Sequence, residues 1–254
     1  MDQFHHCMGY ISPDITKKLI QNGFVTGVKL ESSTNGNLFF CELYVYAKVT
    51  WEPIAKSQLG EHATDVGRII HSDLWGPALV ETKGGKWYYV TYSDNHTSFA
   101  KLDLLWKKSE QPTAYKKLEA WYETQLDVCI KVLCSDAGGE YKDKEFIEYL
   151  KSQGTEQWFT VHNTPEHNGI AERQNQTIFE HVQALLHVSS LSKNLWGEAA
   201  HHIVWLMNRT LTKAVEGMTP YKALFGKKPD LKNVHKWGEK VWVHVEGAGD
   251  KLGG

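Results

Sequence analysis

Apolar and polar positions are ordered most clearly from residue 67 onward. The run Arg68-Ile69-Ile70-His71-Ser72-Asp73-Leu74-Trp75 ends in Gly76-Pro77 and reads as a buried strand. Gly84-Gly85 marks a turn, and 86–92 and 98–105 read as two more strands joined through Asp94-Asn95. In 109–125, Tyr115, Leu118, Trp121 and Tyr122 recur at helical steps, which predicts a helix. The apolar run 128–133 predicts a fourth strand ending in Ser135-Asp136-Ala137-Gly138-Gly139; a helix over 144–151 and a fifth strand over 156–160 follow. A loop around Pro165 and Gly169 opens a long helix over 170–188, striped by Ile178, Val182, Leu185 and Leu186, and another helix covers 195–211. This order predicts an α/β fold with a mixed five-stranded sheet flanked by helices.

The pattern before residue 55 is shorter and mixed. A helical piece is predicted at 15–22, a turn at 32–37, an extended stretch at 38–49 and a polar linker at 56–65. The chain thus divides into a small N-terminal module at 1–55, a core at 64–230 and the start of a C-terminal extension at 231–254, where 241–244 begins another strand.

With 41% apolar and 23% charged residues, the chain is neither disordered as a whole nor collagenous. No apolar run approaches the roughly 20 residues that span a bilayer, and the N-terminus has no apolar signal region, so neither a membrane nor secretion is expected. Four scattered cysteines point to a reducing compartment. The net charge of −2 argues against a wholly basic nucleic-acid binder, yet charge is uneven: 208–240 carry eight Lys/Arg against three acids, after an acidic body.

Three acids carry the candidate chemistry. Asp73 stands near the end of the first strand, Asp136 at the end of the fourth, and Glu172 in the first turn of the long helix, with 35 residues between the last two. Each alone also reads as a turn or helix-start acid. Together they make an oxygen-rich site suited to Mg²⁺ or Mn²⁺ rather than Zn²⁺, and a pair of such ions serves phosphodiester chemistry.

The blocks around these acids are specific. His71-Ser72-Asp73-Leu74-Trp75-Gly76-Pro77, Ser135-Asp136-Ala137-Gly138-Gly139-Glu140-Tyr141 and Thr164-Pro165-Glu166-His167-Asn168-Gly169-Ile170-Ala171-Glu172-Arg173 resemble the signature blocks of Copia-type LTR-retrotransposon integrases. Lys108-Ser109-Glu110, Leu195-Trp196-Gly197-Glu198-Ala199, Asn208-Arg209-Thr210 and Thr219-Pro220-Tyr221 agree, so the likeness covers about 65–245. The resemblance implies a ribonuclease-H-like fold and a catalytic, Mg²⁺-binding triad of Asp73, Asp136 and Glu172. It further implies joining of double-stranded element ends to target DNA, a homo-oligomer, and work in the nucleus after cytoplasmic assembly. Asn168, Gly169, Arg173, Gln176, Lys227 and Lys228 are the expected DNA contacts. The chain departs from the pattern at Ala137, at His162 and Asn163, and at Gln174 and Gln176, which stand where basic residues are frequent.

Phe4-His5-His6-Cys7-Met8-Gly9-Tyr10, with Cys41-Glu42-Leu43-Tyr44, resembles the same family's pre-integrase zinc module. Only His5 and Cys41 match its ligands; Tyr10 and Tyr44 occupy the other two positions. A structural zinc needs four N/S ligands, so Zn²⁺ is not expected. Asn95-His96-Thr97, Asn175-Gln176-Thr177 and Asn208-Arg209-Thr210 fit the glycosylation pattern and, with no signal sequence, are read as chance. Two rival readings stand beside the integrase: a decayed or co-opted copy that binds nucleic acid without catalysis, and a hydrolytic nuclease of the same fold.

Overall fold

The computed structural model describes residues 2–29, 63–159 and 165–242. The elements are α1 (Asp2–Cys7), α2 (Pro13–Gln21), β1 (Ile69–Trp75), β2 (Tyr88–Asp94), β3 (Ala100–Leu105), α3 (Gln111–Leu126), β4 (Val132–Ser135), α4 (Lys144–Gln153), β5 (Glu156–Phe159), α5 (Pro165–Ser189), α6 (Trp196–Met207) and α7 (Pro220–Phe225), besides short 3-10 turns. The sheet runs β3-β2-β1-β4-β5. The first three strands form an antiparallel meander; β4 and β5 extend it parallel to β1, reached through α3 and α4. This is a mixed sheet of the ribonuclease-H-like kind, with β1 at its centre.

Period-2 alternation divides the core into two layers. Ile70, Val90, Tyr92 and Leu133 pack against Tyr115, Leu118, Phe146 and Leu150 of α3 and α4. Tyr89, Ala100 and Leu102 belong to the opposite layer, with Ile178, Val182 and Leu185 of α5 and Ala199, Ile203 and Leu206 of α6. Each of the larger aliphatic or aromatic side chains among these contributes about 1.5–3 kcal/mol by leaving water.

The N-terminal residues share that second layer. Met8 and Leu19 are fully buried in it, with Tyr10, Val25 and Leu231. Thr26 N donates to Pro229 O and Leu231 N to Thr26 O, both at 3.0 Å, which stitches 2–29 to the segment after α7. The turn expected at 32–37, the extended stretch at 38–49 and most of the 56–65 linker lie outside the described residues.

Several boundaries differ from the sequence expectation: the third strand starts only at Ala100, the helix expected over 195–211 ends at Met207, and 241–242 are not in a strand. Three further differences have a local reason. The turn at 82–86, closed by Thr82 N to Lys86 O and by Lys86 N to Thr82 Oγ1, delays β2 to Tyr88. Asp127, at φ 55, caps α3, and pairing with β1 starts only at Val132. The loop expected around Pro165 and Gly169 is instead the start of α5; proline suits the first helical turn, where its missing N–H has no partner to lose. Asn168 and Gly169 therefore sit on a helix, not a loop. Among the described residues no helix is long and apolar enough to cross a membrane.

Candidate active site

Asp73 lies on the central strand, its residue paired with Thr91 of β2. Asp136 follows the last residue of β4, on the strand next to β1. Its loop is anchored by Tyr141, whose buried hydroxyl shares a 2.7 Å hydrogen bond with Ser72 Oγ and whose carbonyl accepts from Gln157 Nε2 at 2.7 Å. Glu172 is an exposed residue of α5. Ala171, Asn175, Ile178, Val182 and Leu185 form a buried stripe of that helix at three- and four-residue steps, with Ala184 buried beside it. Asn175 is the one polar member of this stripe.

That asparagine joins helix to sheet. Asn175 Nδ2 donates to Asp73 Oδ2 at 2.7 Å. Thr91 Oγ1 donates to Asn175 Oδ1 at 3.0 Å, which orients the amide. Burial is the main reason that the Asp73 carboxyl is pushed up to about 6; the charges of Asp136 and Glu172 raise it further, and the hydrogen bonds from Asn175 and the Leu74 backbone oppose them. Asp73 thus feels both other acids. Asp136 Oδ1 accepts from Gly138 N at 3.1 Å within its own loop.

The donor set fits a hard divalent cation: three carboxylates, with a half-buried aspartate whose ionisation is opposed by two like charges. The acids do not stand as a closed cage. Among the described residues no three His, Cys, Asp or Glu side chains gather closely enough to hold an ion between them.

The other expected contacts are dispersed. Arg173 and Gln176 are half-buried neighbours of Asn175 on α5, and Asn168 and Gly169 lie in its first turns. Lys227 and Lys228 follow the α7 cap at Gly226, and Lys228 Nζ lies beside Gly23 of the N-terminal segment. His5 is 1% exposed, with Nδ1 2.7 Å from Ile11 O; Cys41 lies outside the described residues. Sequence reasoning overlooked Asn175, although its position three residues after Glu172 puts both on one side of a helix.

The chain is 29% identical over 96% of its length to the Retrovirus-related Pol polyprotein from transposon TNT 1-94 of Nicotiana tabacum. It is 30% identical to that from transposon RE2 of Arabidopsis thaliana over 66% of its length, and 26% identical to that from RE1 over 92%. Its homologues are Copia-type Pol polyproteins of plant transposons. The chain spans 18%, 11% and 15% of these polyproteins, respectively. No family model matches it. Among solved structures, the simian T-cell lymphotropic virus intasome in complex with PP2A regulatory subunit B56 gamma aligns with a TM-score of 0.53 at 13% identity, over 68% of this chain and 59% of that one. The HTLV-2 integrase catalytic core domain in complex with magnesium aligns at 0.48 and 17% identity, over 62% and 96%. The intasome likeness establishes the fold of this transposon-polyprotein homologue; its chemistry is argued from its own side chains.

Proposed function

We propose that this chain is the catalytic core of a retrotransposon integrase, a divalent-metal-dependent polynucleotidyl transferase that joins element DNA ends to target DNA. The observation that carries the reading is Asp73: a carboxylate on the central strand, held by Asn175 and under the charges of Asp136 and Glu172. The Pol polyprotein relatives and the intasome likeness support it.

Asp73, Asp136 and Glu172 would hold Mg²⁺ or Mn²⁺. When bound, such ions polarise the phosphodiester and lower the pKa of an attacking oxygen. Asn175 fixes the Asp73 carboxylate against rotation, and Thr91 fixes Asn175; that preorganisation removes a conformational cost from the reacting arrangement. The Tyr141–Ser72 bond holds the Asp136 loop against β1. Work as a multimer on double-stranded DNA in the nucleus belongs to the same proposal.

The test is strand transfer with oligonucleotide ends and Mg²⁺, comparing the chain with Glu172→Gln. Loss of joined product is expected; unchanged product would remove Glu172 from the site. A second reading, a nucleic-acid binder without catalysis, is favoured by Asp136 Oδ1 already accepting from Gly138 N, which leaves this carboxylate fewer lone pairs for an ion. Protein that binds DNA yet neither joins nor nicks it with Mg²⁺ or Mn²⁺ would establish that reading instead.

A further inference from the structure

The end of the sheet beyond Asp73 carries a second surface. β1 stops two residues after Asp73, and the chain then makes a hairpin, 76–87, before β2. This hairpin is held at many points. Ala78 N donates to Trp87 O at 2.8 Å, and Trp87 N to Leu105 O at 3.0 Å. Lys83 N donates to Asn194 O at 3.1 Å, and Trp196 Nε1 to Val80 O at 2.7 Å, which tie it to the approach to α6. Against its tip lies Trp106, the residue after β3, whose Nε1 donates to Gly84 O at 3.2 Å. A Cβ at Gly85 (φ +75) would come within 3.0 Å of that nitrogen, so a glycine is needed there.

Large apolar groups remain in water on this braced structure. Trp106 is 54% exposed and Leu79 fully so, with Trp87 and Val80 also exposed. Cations surround them. Lys86 Nζ lies 3.7 Å above the Trp106 ring and 3.9 Å from Glu110, while Lys83, Lys107 and Lys108 are exposed. Four lysines thus face two acids, Glu81 and Glu110. Exposed indoles among surplus cations suit a polymer that offers phosphates at its edge and flat bases at its frayed or unpaired positions. A protein partner would find less here, because lysine is depleted at the centres of protein–protein interfaces.

We infer that this hairpin and the turn after β3 form a DNA-contact surface, with Lys83, Lys107 and Lys108 meeting phosphates and Trp106 offering a stacking face to an unpaired base. The inference rests on the proposed integrase reading. From the sheet register, in which Asp73 pairs with Thr91 and Thr91 with Leu102, Trp106 lies four residues past the Asp73–Thr91 level and two strands across, roughly 16 Å from Asp73. That is about five steps of duplex DNA at 3.4 Å each. A DNA end lying in the carboxylate site therefore reaches this surface with its flank.

The experiment measures binding of the complete chain to a fluorescein-labelled duplex, blunt or with a 5′ overhang, across a salt series in EDTA. The variants are Lys107→Glu/Lys108→Glu and Trp106→Ala, each checked for folding by thermal melting. The lysine pair is expected to weaken binding to both duplexes at least tenfold and to flatten the slope of log K against log salt by about two. Trp106→Ala is expected to weaken the overhang duplex more than the blunt one. Binding and slope unchanged in the lysine pair would overturn the inference, as would a change of sedimentation without a change of DNA affinity, which would mark a contact between copies. Glu172→Gln, measured in parallel, separates the two claims. If it keeps strand transfer while the lysine pair loses DNA, the integrase site assignment fails and this surface stands. If it loses strand transfer while the lysine pair binds normally, the surface fails and the site stands.

Discussion

Asn175 Nδ2 donates to Asp73 Oδ2 at 2.7 Å, across the gap between α5 and the central strand of the sheet. The amide lies in the buried stripe of α5 and accepts from Thr91 Oγ1 in turn. One polar residue thereby fixes both the seat of the helix and the rotamer of the aspartate.

Removing that amide has a defined cost. Asn175→Ala leaves the half-buried Asp73 carboxylate without its side-chain donor and should lower stability by about 1–3 kcal/mol. Asn175→Asp should cost more, because it sets a like charge against Asp73. Urea denaturation at pH 7 measures both; a cost under about 0.5 kcal/mol for either would show that the contact carries no weight.

Asp73 also makes stability depend on pH. Its folded pKa, about 6, lies above the ordinary 3.8, so the folded state holds the proton more tightly. The stabilisation from this group is complete below pH 3.8 and is lost as pH rises through about 6. In EDTA, Asp73→Asn should lack this fall, gaining on the parent chain by up to about 2–3 kcal/mol at pH 7 relative to pH 4. Millimolar Mg²⁺ should then raise the melting temperature of the parent at pH 7 and leave Asp73→Asn unmoved. Equal pH profiles for the two proteins would refute a raised pKa at Asp73.

At the outer edge of β3, Ala100 is paired by a side chain. Asn208 Oδ1 accepts from Ala100 N and Asn208 Nδ2 donates to Ala100 O, both at 2.8 Å, so the amide completes the sheet as a neighbouring strand would. Asn208→Ala should cost about 2–3 kcal/mol, the loss of two buried hydrogen bonds. Hydrogen exchange at Ala100 should accelerate in the variant; unchanged protection there would contradict this role.

The N-terminal residues are expected to support the core without metal. Leu19 is fully buried among the α5 and α6 side chains. Leu19→Ala should therefore cost about 2–5 kcal/mol of whole-chain stability, and a zinc chelator should leave the melting temperature of the parent unchanged. A chelator-induced fall in melting temperature would instead point to a bound structural ion.

Much of this arrangement is legible in the chain. The apolar run to Trp75, closed by Gly76-Pro77, marks β1, and helical steps from Tyr115 mark α3. The two aspartates fall at the strand ends that their flanking blocks suggest, whereas Glu172 lies well inside α5 rather than in its first turn. What escapes is the chemistry of side chains that bond across distance. Asn95, Asn175 and Asn208 look like chance glycosylation triplets, yet all three are buried and bonded: Asn95 Oδ1 accepts from Ala63 N at 2.6 Å, and the other two join α5 to β1 and the residue after α6 to β3. A local pattern cannot reveal a partner 102 or 108 residues away. The early start of α5 escapes because Gly169 reads as a breaker, whereas Pro165 already suits a helical first turn.

The central claim is that Asp73, Asp136 and Glu172 act as one metal-dependent unit on DNA. The direct measurement is transfer of a labelled 3′-hydroxyl end into plasmid DNA by the complete chain with Mg²⁺ or Mn²⁺, beside Asp73→Asn, Asp136→Asn and Glu172→Gln of equal thermal stability. The account expects joined product from the parent and at least a hundredfold less from each variant. Joining that survives in the variants, or a folded, DNA-binding parent that joins nothing with either metal, would contradict it.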